Sequence, residues 1–275
     1  MELSELLAQK FNLPSIPRVV ALLLFELDRP EPDLQKITQL ISTDPALTVR
    51  LLEISNATYF GLSGKINSVS ESLALLGLGH VRAMAAAAAG ASSFKSVPGI
   101  QLQQFWSYSL NVGKVSRSLA GVLRGNQQAA FTCGLIHAVG ELAMHLAMPE
   151  KKGKLNPEVT PISLKRADVE MRAFGFCYAH VSAGFAKAWK FPQSMVEALQ
   201  DQCYPFENES YEPLAGIIHL ATWRARAKEA KFDERGLAVS FPGTVGDILK
   251  LDIDMVLQQD PIDWTVAVPG KQFSS

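Results

Sequence analysis

Cysteine is scarce in this chain. Its three cysteines, Cys133, Cys177 and Cys203, lie far apart, with no CxxC pair and no zinc-finger spacing. That excludes a disulfide scaffold and a zinc ribbon. No alternation of apolar and polar residues runs long enough to predict a strand. The net charge is −1 over 275 residues, so no global field draws the chain to nucleic acid or to anionic lipid. The most apolar window, MAAAAAGA at 84–91, is alanine-rich and far short of the roughly 20 residues of a membrane span. The start, MELSELLAQKF, is acidic and amphipathic and lacks the basic start and apolar run of a signal peptide. Neither a GxxxxGKS/T phosphate loop nor a strand-linked GxGxxG occurs. The expectation is a reduced, cytoplasmic, soluble protein without a membrane or nucleic-acid partner. With 48% hydrophobic and 19% charged residues, it can bury an ample core.

What is present is helical periodicity. In DPALTVRLLEISNA (44–57), Asp44 suits an N-cap and Pro45 the first helical position. Leu47, Leu51 and Ile54 then follow at i, i+4, i+7 as one buried stripe. SVSE (68–71) reads as a capping box, Gly77 as a terminator, and a second helix runs from about Gly79 to about Ser92. KSVPGI (95–100) is a clear break. Helical patterns follow at about 101–124, 127–147, 163–174, 178–189, 192–201 and 213–230. The lysine- and proline-containing stretch 149–162 reads as a surface loop. The expected fold is all-α: a helical bundle over 1–95, a second over 96–230, and a mixed extension over 231–275. Within it VGDILKLDIDMVLQ (245–258) holds one or two short helices, and the VPGKQFSS end frays.

Taken together, several stretches resemble the HDOD family, the HD-related output domain of bacterial signalling proteins. They are LPSIPRVVALLLFEL (13–27), ITQLISTDPALTVRLLEISNATYFGLSGKINSVSESLALLGLGHVRAM (37–84), FWSYSL (105–110), GLIHAVGEL (134–142), FGFCYAHVSAGFAKAWKFP (174–192) and PLAGIIHLA (213–221). The resemblance implies two packed helical bundles, the C-terminal one HD-domain-like, and a role in signal output rather than catalysis. HD hydrolases gather histidines and aspartates around one or two metal ions that acidify a water. Against that pattern Tyr108 stands where the enzymes have a histidine. The His-Asp pair becomes His137-Ala138, and Tyr178 falls where a further histidine is common. Gln202 and Cys203 take the place of a histidine pair, and Thr222 that of the last aspartate. Only His137 survives. No catalytic residue, bound metal or cofactor is expected, and the chain reads as a pseudoenzyme.

Several residue sets bear on other chemistries. His137, Glu141 and His145 stand at i, i+4, i+8, but i and i+8 lie about 12 Å apart along a helix, too far for one ion. Either neighbouring pair could chelate with an outside ligand. The plainer expectation is a satisfied core His137, with Glu141 and His145 facing water or a partner. Cys177 and His180 are three apart, yet a catalytic cysteine also needs an oriented base and an oxyanion site. Cys133 reads as core, and the two glycines of GLGH (77–80) join helices rather than cradle a phosphate.

Without chemistry, function lies in binding. The candidate interaction residues are Asn56, Tyr59, Phe60 and Gly61. The two aromatics either plug the junction between the bundles or anchor a partner protein. The cleft around Tyr108, His137, Tyr178 and Thr222 is either a filled core or a pocket for a small ligand such as a nucleotide. Arg224, Arg226, Lys228 and Lys231 form either a solvated helix face or a patch for an acidic partner. The leading expectation is a non-enzymatic signalling module that binds other signalling proteins. The alternatives are a divergent metal-dependent phosphohydrolase built on His137 and a nucleotide sensor using the vestigial cleft.

Overall fold

The computed structural model describes residues 1–90, 96–157, 159–205 and 211–258. Among them every regular element is a helix, apart from one isolated bridge between Val97 and Ile100. The first bundle comprises α1 (Leu3–Leu7), α2 (Pro17–Leu27), α3 (Leu34–Ile41), α4 (Pro45–Ser55) and α5 (Val69–Gly90), with a 3₁₀ turn at Thr58–Phe60 between the last two. The second is built from α6 (Leu102–Val122), α7 (Gln127–Ile136), α8 (Val139–Ala147), α9 (Pro149–Leu155), α10 (Arg166–Phe174), α11 (Tyr178–Ala188), α12 (Gln193–Asp201) and α13 (Pro213–Glu229). Three short helices follow: α14 (Glu234–Ser240), α15 (Gly243–Leu249) and α16 (Ile253–Leu257). The expected VPGKQFSS end lies outside the described residues.

Local chemistry explains the elements that frame the site. Asp44 caps α4 by accepting from the N–H groups of Ala46 (2.9 Å) and Leu47 (3.0 Å). It also accepts from Ile16 (2.6 Å) at the start of α2, so one buried carboxylate fixes two helices. Burial pushes that carboxyl up to about 6, against the three N–H groups that favour its ionised form. At Ser68 the box is shifted: Ser68 accepts from Glu71 N–H (3.3 Å), while Glu71 reaches back to Asn67 N–H (2.8 Å). Gly77 interrupts α5 with φ 68° and ψ 173°, a conformation that glycine adopts without steric cost.

The pattern at 127–147 predicts one helix, and the structure breaks it into α7 and α8 at His137-Ala138. Two polar contacts account for the break. The His137 ring is hydrogen-bonded to Gly134 O at the end of α7 (2.7 Å). The Gly140 N–H donates to Ser182 Oγ (2.9 Å) on α11 instead of continuing the helical ladder. The loop expected over 149–162 is a second correction, because its first half is α9, opened by Pro149. Lys152 of α9 is fully buried, and its partners lie on α8 and α10.

The two bundles share their interior. One apolar cluster runs from Leu23 and Leu51 to Val112 and Leu220, and a second joins Val49 and Leu52 to Leu135 and Ile218. Among the described residues two helical stretches, Val69–Gly90 and Gln127–Ala147 counted across its break, are long and apolar enough by composition to cross a membrane, which the short 84–91 window alone did not suggest. The second is 89% buried inside the protein, as a core helix is, and the first is bent at Gly77.

Candidate functional site

Six helices, or their ends, converge where the sequence places the remnant of a metal centre. Tyr108 comes from the middle of α6, and His137 and Ala138 from the α7–α8 break. Tyr178 opens α11, Gln202 and Cys203 follow α12, and Thr222 lies on α13. All are buried except Cys203, which is half-buried.

The His137 ring is fully engaged. Nδ1 lies 2.7 Å from the Gly134 carbonyl oxygen, which can only accept, so Nδ1 carries the proton. Nε2 is therefore the acceptor, and the Tyr108 hydroxyl donates to it (2.9 Å). The rings of Tyr108 and Tyr178 stand edge-on to the imidazole, at 5.1 and 6.5 Å. Burial, with the Arg226 charge adding to it, lowers the His137 pKa to about 3. The residue is a neutral imidazole whose only lone pair is occupied. The methyl group of Ala138 offers no donor atom.

Arg226 was expected on a basic surface run, and the structure corrects that. It lies one turn beyond Thr222 on the buried face of α13 and is only 5% exposed. Its guanidinium carbon lies 5.7 Å from the ring centre of Tyr108 and 5.6 Å from that of Tyr178. Nη2 donates to the Tyr178 hydroxyl (3.1 Å), which also accepts from Cys203 Sγ (3.4 Å). Burial disfavours the Arg226 charge, but Tyr108, Tyr178 and Cys203 outweigh it and hold the guanidinium protonated. The Tyr178 hydroxyl is pushed well above its ordinary range, chiefly by burial. Among the described residues Arg226 Nε, Thr222 Oγ1 and Gln202 Oε1 have no hydrogen-bond partner. Gln202 Nε2 donates to the carbonyls of His137 (3.1 Å) and Leu199 (2.8 Å).

Glu141 and His145, expected at water or a partner, are buried as well, at 1% and 0% exposure. They belong to an ionic cluster of five side chains that the sequence did not reveal. Lys152 Nζ binds Glu141 Oε2 (2.7 Å) and Glu170 Oε1. Arg166 binds Glu141 Oε1 (3.0 Å) and Glu170 Oε1 (2.8 Å), and His145 Nε2 lies 3.1 Å from Glu141 Oε1. Burial alone would raise the Glu141 carboxyl, but Lys152, His145 and Arg166 hold it well below the usual carboxylate range. Burial and the neighbouring Glu141 push Glu170 up. The i, i+4 pairs 141/145 and 166/170 were the available signal. Nothing local marked Lys152.

Cys177 is buried at the start of α11, with Sγ 3.9 Å from His180 Nδ1. That nitrogen accepts the Cys177 backbone N–H (3.3 Å), so its lone pair is not reserved for the thiol. Cys133 is core. Among the described residues no group of three or more His, Cys, Asp or Glu side chains is placed to hold a metal ion.

The SNATYFG stretch divides in two. Asn56 is a buried hub: its Nδ2 donates to Leu52 O (3.1 Å) and Ile66 O (2.9 Å), and its Oδ1 accepts from the N–H groups of Gly64 and Ile66. Gly61 turns the chain at φ 67°. Phe60 packs against the core and meets His80 edge-on at 5.8 Å. Tyr59 is 90% exposed, so it plugs no junction.

Fold and site together define an all-α domain of the HD type whose buried centre gathers Tyr108, His137, Tyr178, Cys203 and Arg226. Residues 13–205 match the HDOD domain, and the chain belongs to that family. An uncharacterised protein of Treponema pallidum (strain Nichols) is 25% identical over 225 residues, 78% of this chain. The match covers 42% of that protein, so the chain spans less than half the length of the curated relative it matches. The MmoQ response regulator of Methylococcus capsulatus superposes with a TM-score of 0.72 at 24% identity, over 90% of this chain and 97% of that one. An HDOD domain protein of unknown function from Geobacter sulfurreducens gives 0.53 at 19%, over 94% and 91%. These likenesses concern the fold.

Proposed function

We propose that the chain is a non-catalytic signal-output domain that works by binding, with other signalling proteins as its partners and the cytoplasm as its compartment. The observation that carries the reading is Arg226. A permanent cation packs against Tyr108 and Tyr178 among the positions where the enzymes bind a metal ion. A metal ion introduced there would meet a buried like charge, one imidazole whose lone pair is already bonded, and no nearby carboxylate from Ala138 or Thr222. Hydrolysis through a metal-bound water needs the opposite arrangement. Membership of the HDOD family and the fold shared with a response regulator support a signalling role.

The experiment is phosphodiester hydrolysis with added manganese, using bis(p-nitrophenyl) phosphate and cyclic dinucleotides. The reading expects no turnover above the rate without protein. Turnover that vanishes in His137→Ala would replace it with the divergent phosphohydrolase reading.

A further inference from the structure

A cavity of about 390 Å³ lies where the two bundles meet, and none of the remnant-site residues lines it. The HDOD-like stretches converge on it. Leu13 and Pro14 come from the segment before α2, Leu47 from α4, Met84 from α5, Trp106 from α6, and Trp189 follows α11. Its walls are mostly apolar and include flat aromatic surfaces. Trp189 is held in a fixed orientation, stacked on Phe185 at 5.1 Å with 12° between the rings, and Phe11 meets Phe185 edge-on at 5.9 Å.

Volume and polarity narrow the occupant. An apolar cavity of about 150 Å³ accommodates one benzene ring. This one, at about 390 Å³, has room for two or three rings. Trp106 is 8% exposed and its indole nitrogen has almost no accessible surface, so its ring carbons are what it offers an occupant. The charged groups of the lining are Arg50 and Glu53, on one face of α4.

We propose that this cavity is a small-molecule site for a planar aromatic ligand of two or three rings that packs against the Trp106 and Trp189 rings. Such a ligand would lie between the bundles and touch α4, α5 and α6 at once. Two residues beyond Trp106, Tyr108 contacts His137 in the remnant site, so α6 borders both places. The inference holds whether or not the remnant site is catalytic, and its test does not involve metal or turnover.

The probe is 1-anilinonaphthalene-8-sulfonate, titrated against the full chain by fluorescence and calorimetry. The expected result is saturable one-to-one binding with energy transfer from tryptophan. Ala88→Phe places a ring in the cavity and should weaken binding at least tenfold. Trp106→Phe shrinks the aromatic wall; it should weaken binding at least threefold with an unchanged circular dichroism spectrum. If Ala88→Phe does not fold, Trp106→Phe decides. No saturable binding, several equivalent sites, or unchanged affinity in the folded variants would overturn the proposal.

Discussion

Replacing Lys152 with methionine removes the ammonium group that Glu141 and Glu170 share, while keeping most of the buried stem. All three residues are 0–1% exposed. At 2.7 Å and an effective dielectric near 20, the Lys152–Glu141 attraction alone is about 6 kcal/mol gross. Relief of the lysine's own desolvation returns part of that. The net cost expected for breaking a buried pair from one side is about 3–5 kcal/mol. At roughly 2–4 °C per kcal/mol for a chain of this size, the melting temperature should fall by about 6–20 °C. The pH dependence has a definite sign. Glu170 is pushed up to about 8, above its unfolded value of 4.5, so the folded state holds its proton more tightly. Without Lys152 this tendency increases. Both folded proteins hold the Glu170 proton below about 8, so the deficit should widen as pH rises through about 8 and beyond. Urea unfolding followed by circular dichroism measures both quantities. Lys152→Met/Glu141→Gln should recover much of the loss, because it restores one carboxylate to one guanidinium. A Lys152→Met cost below about 1 kcal/mol, or a deficit independent of pH, would refute the reasoning.

Four further outcomes are expected. The His137 imidazole, with its pKa lowered to about 3 against 6.5 unfolded, stays neutral in the folded protein, so nitrogen chemical shifts should show no protonation between about pH 7 and 4. The unfolded chain binds that proton first, so this residue's stabilisation is complete above pH 6.5 and is lost as pH falls toward 3. Glu26, drawn down to about 2 chiefly by Lys36 and the Asp33 N–H, gives stability that is full above pH 4.5 and lost as pH falls through 2. Glu26→Gln should flatten that limb of the acid-unfolding curve. A Cβ at Gly140 would collide with the Tyr178 carbonyl oxygen and lie 2.8 Å from Ser182 N. Gly140→Ala should therefore cost about 1–3 kcal/mol or more in urea unfolding. Gly153→Ala, on α9 with nothing within 4 Å, should instead be neutral or stabilise by up to about 1 kcal/mol.

The helices were legible where chemistry within one turn decides them. Asp44-Pro45 opens α4, Gly77 bends α5, and the stripe of Leu47, Leu51 and Ile54 faces the core or its edge. The family's motif spacing picked out Tyr108, His137, Tyr178 and Cys203, and the structure brings these four together. Arg226 was not legible, because a basic run near a helix end reads as solvated. Only its register with Thr222 and His219 pointed inward, and its stabilising partners, Tyr108 and Tyr178, come from α6 and α11. Lys152 was hidden for the same reason. A lysine between prolines reads as loop unless its acceptors, 11 and 18 residues away, are known. Tyr59 failed in the opposite direction, since its exposure depends on how the turn after Asn56 leaves the bundle.

The central claim is that the Arg226-filled site binds no catalytic metal. The most direct measurement is elemental mass spectrometry of untagged protein after incubation with manganese or iron and removal of free ion. The account predicts well below one metal per chain, with no change in His137→Ala. Close to one metal per chain, lost in His137→Ala and accompanied by phosphodiester turnover, would contradict it.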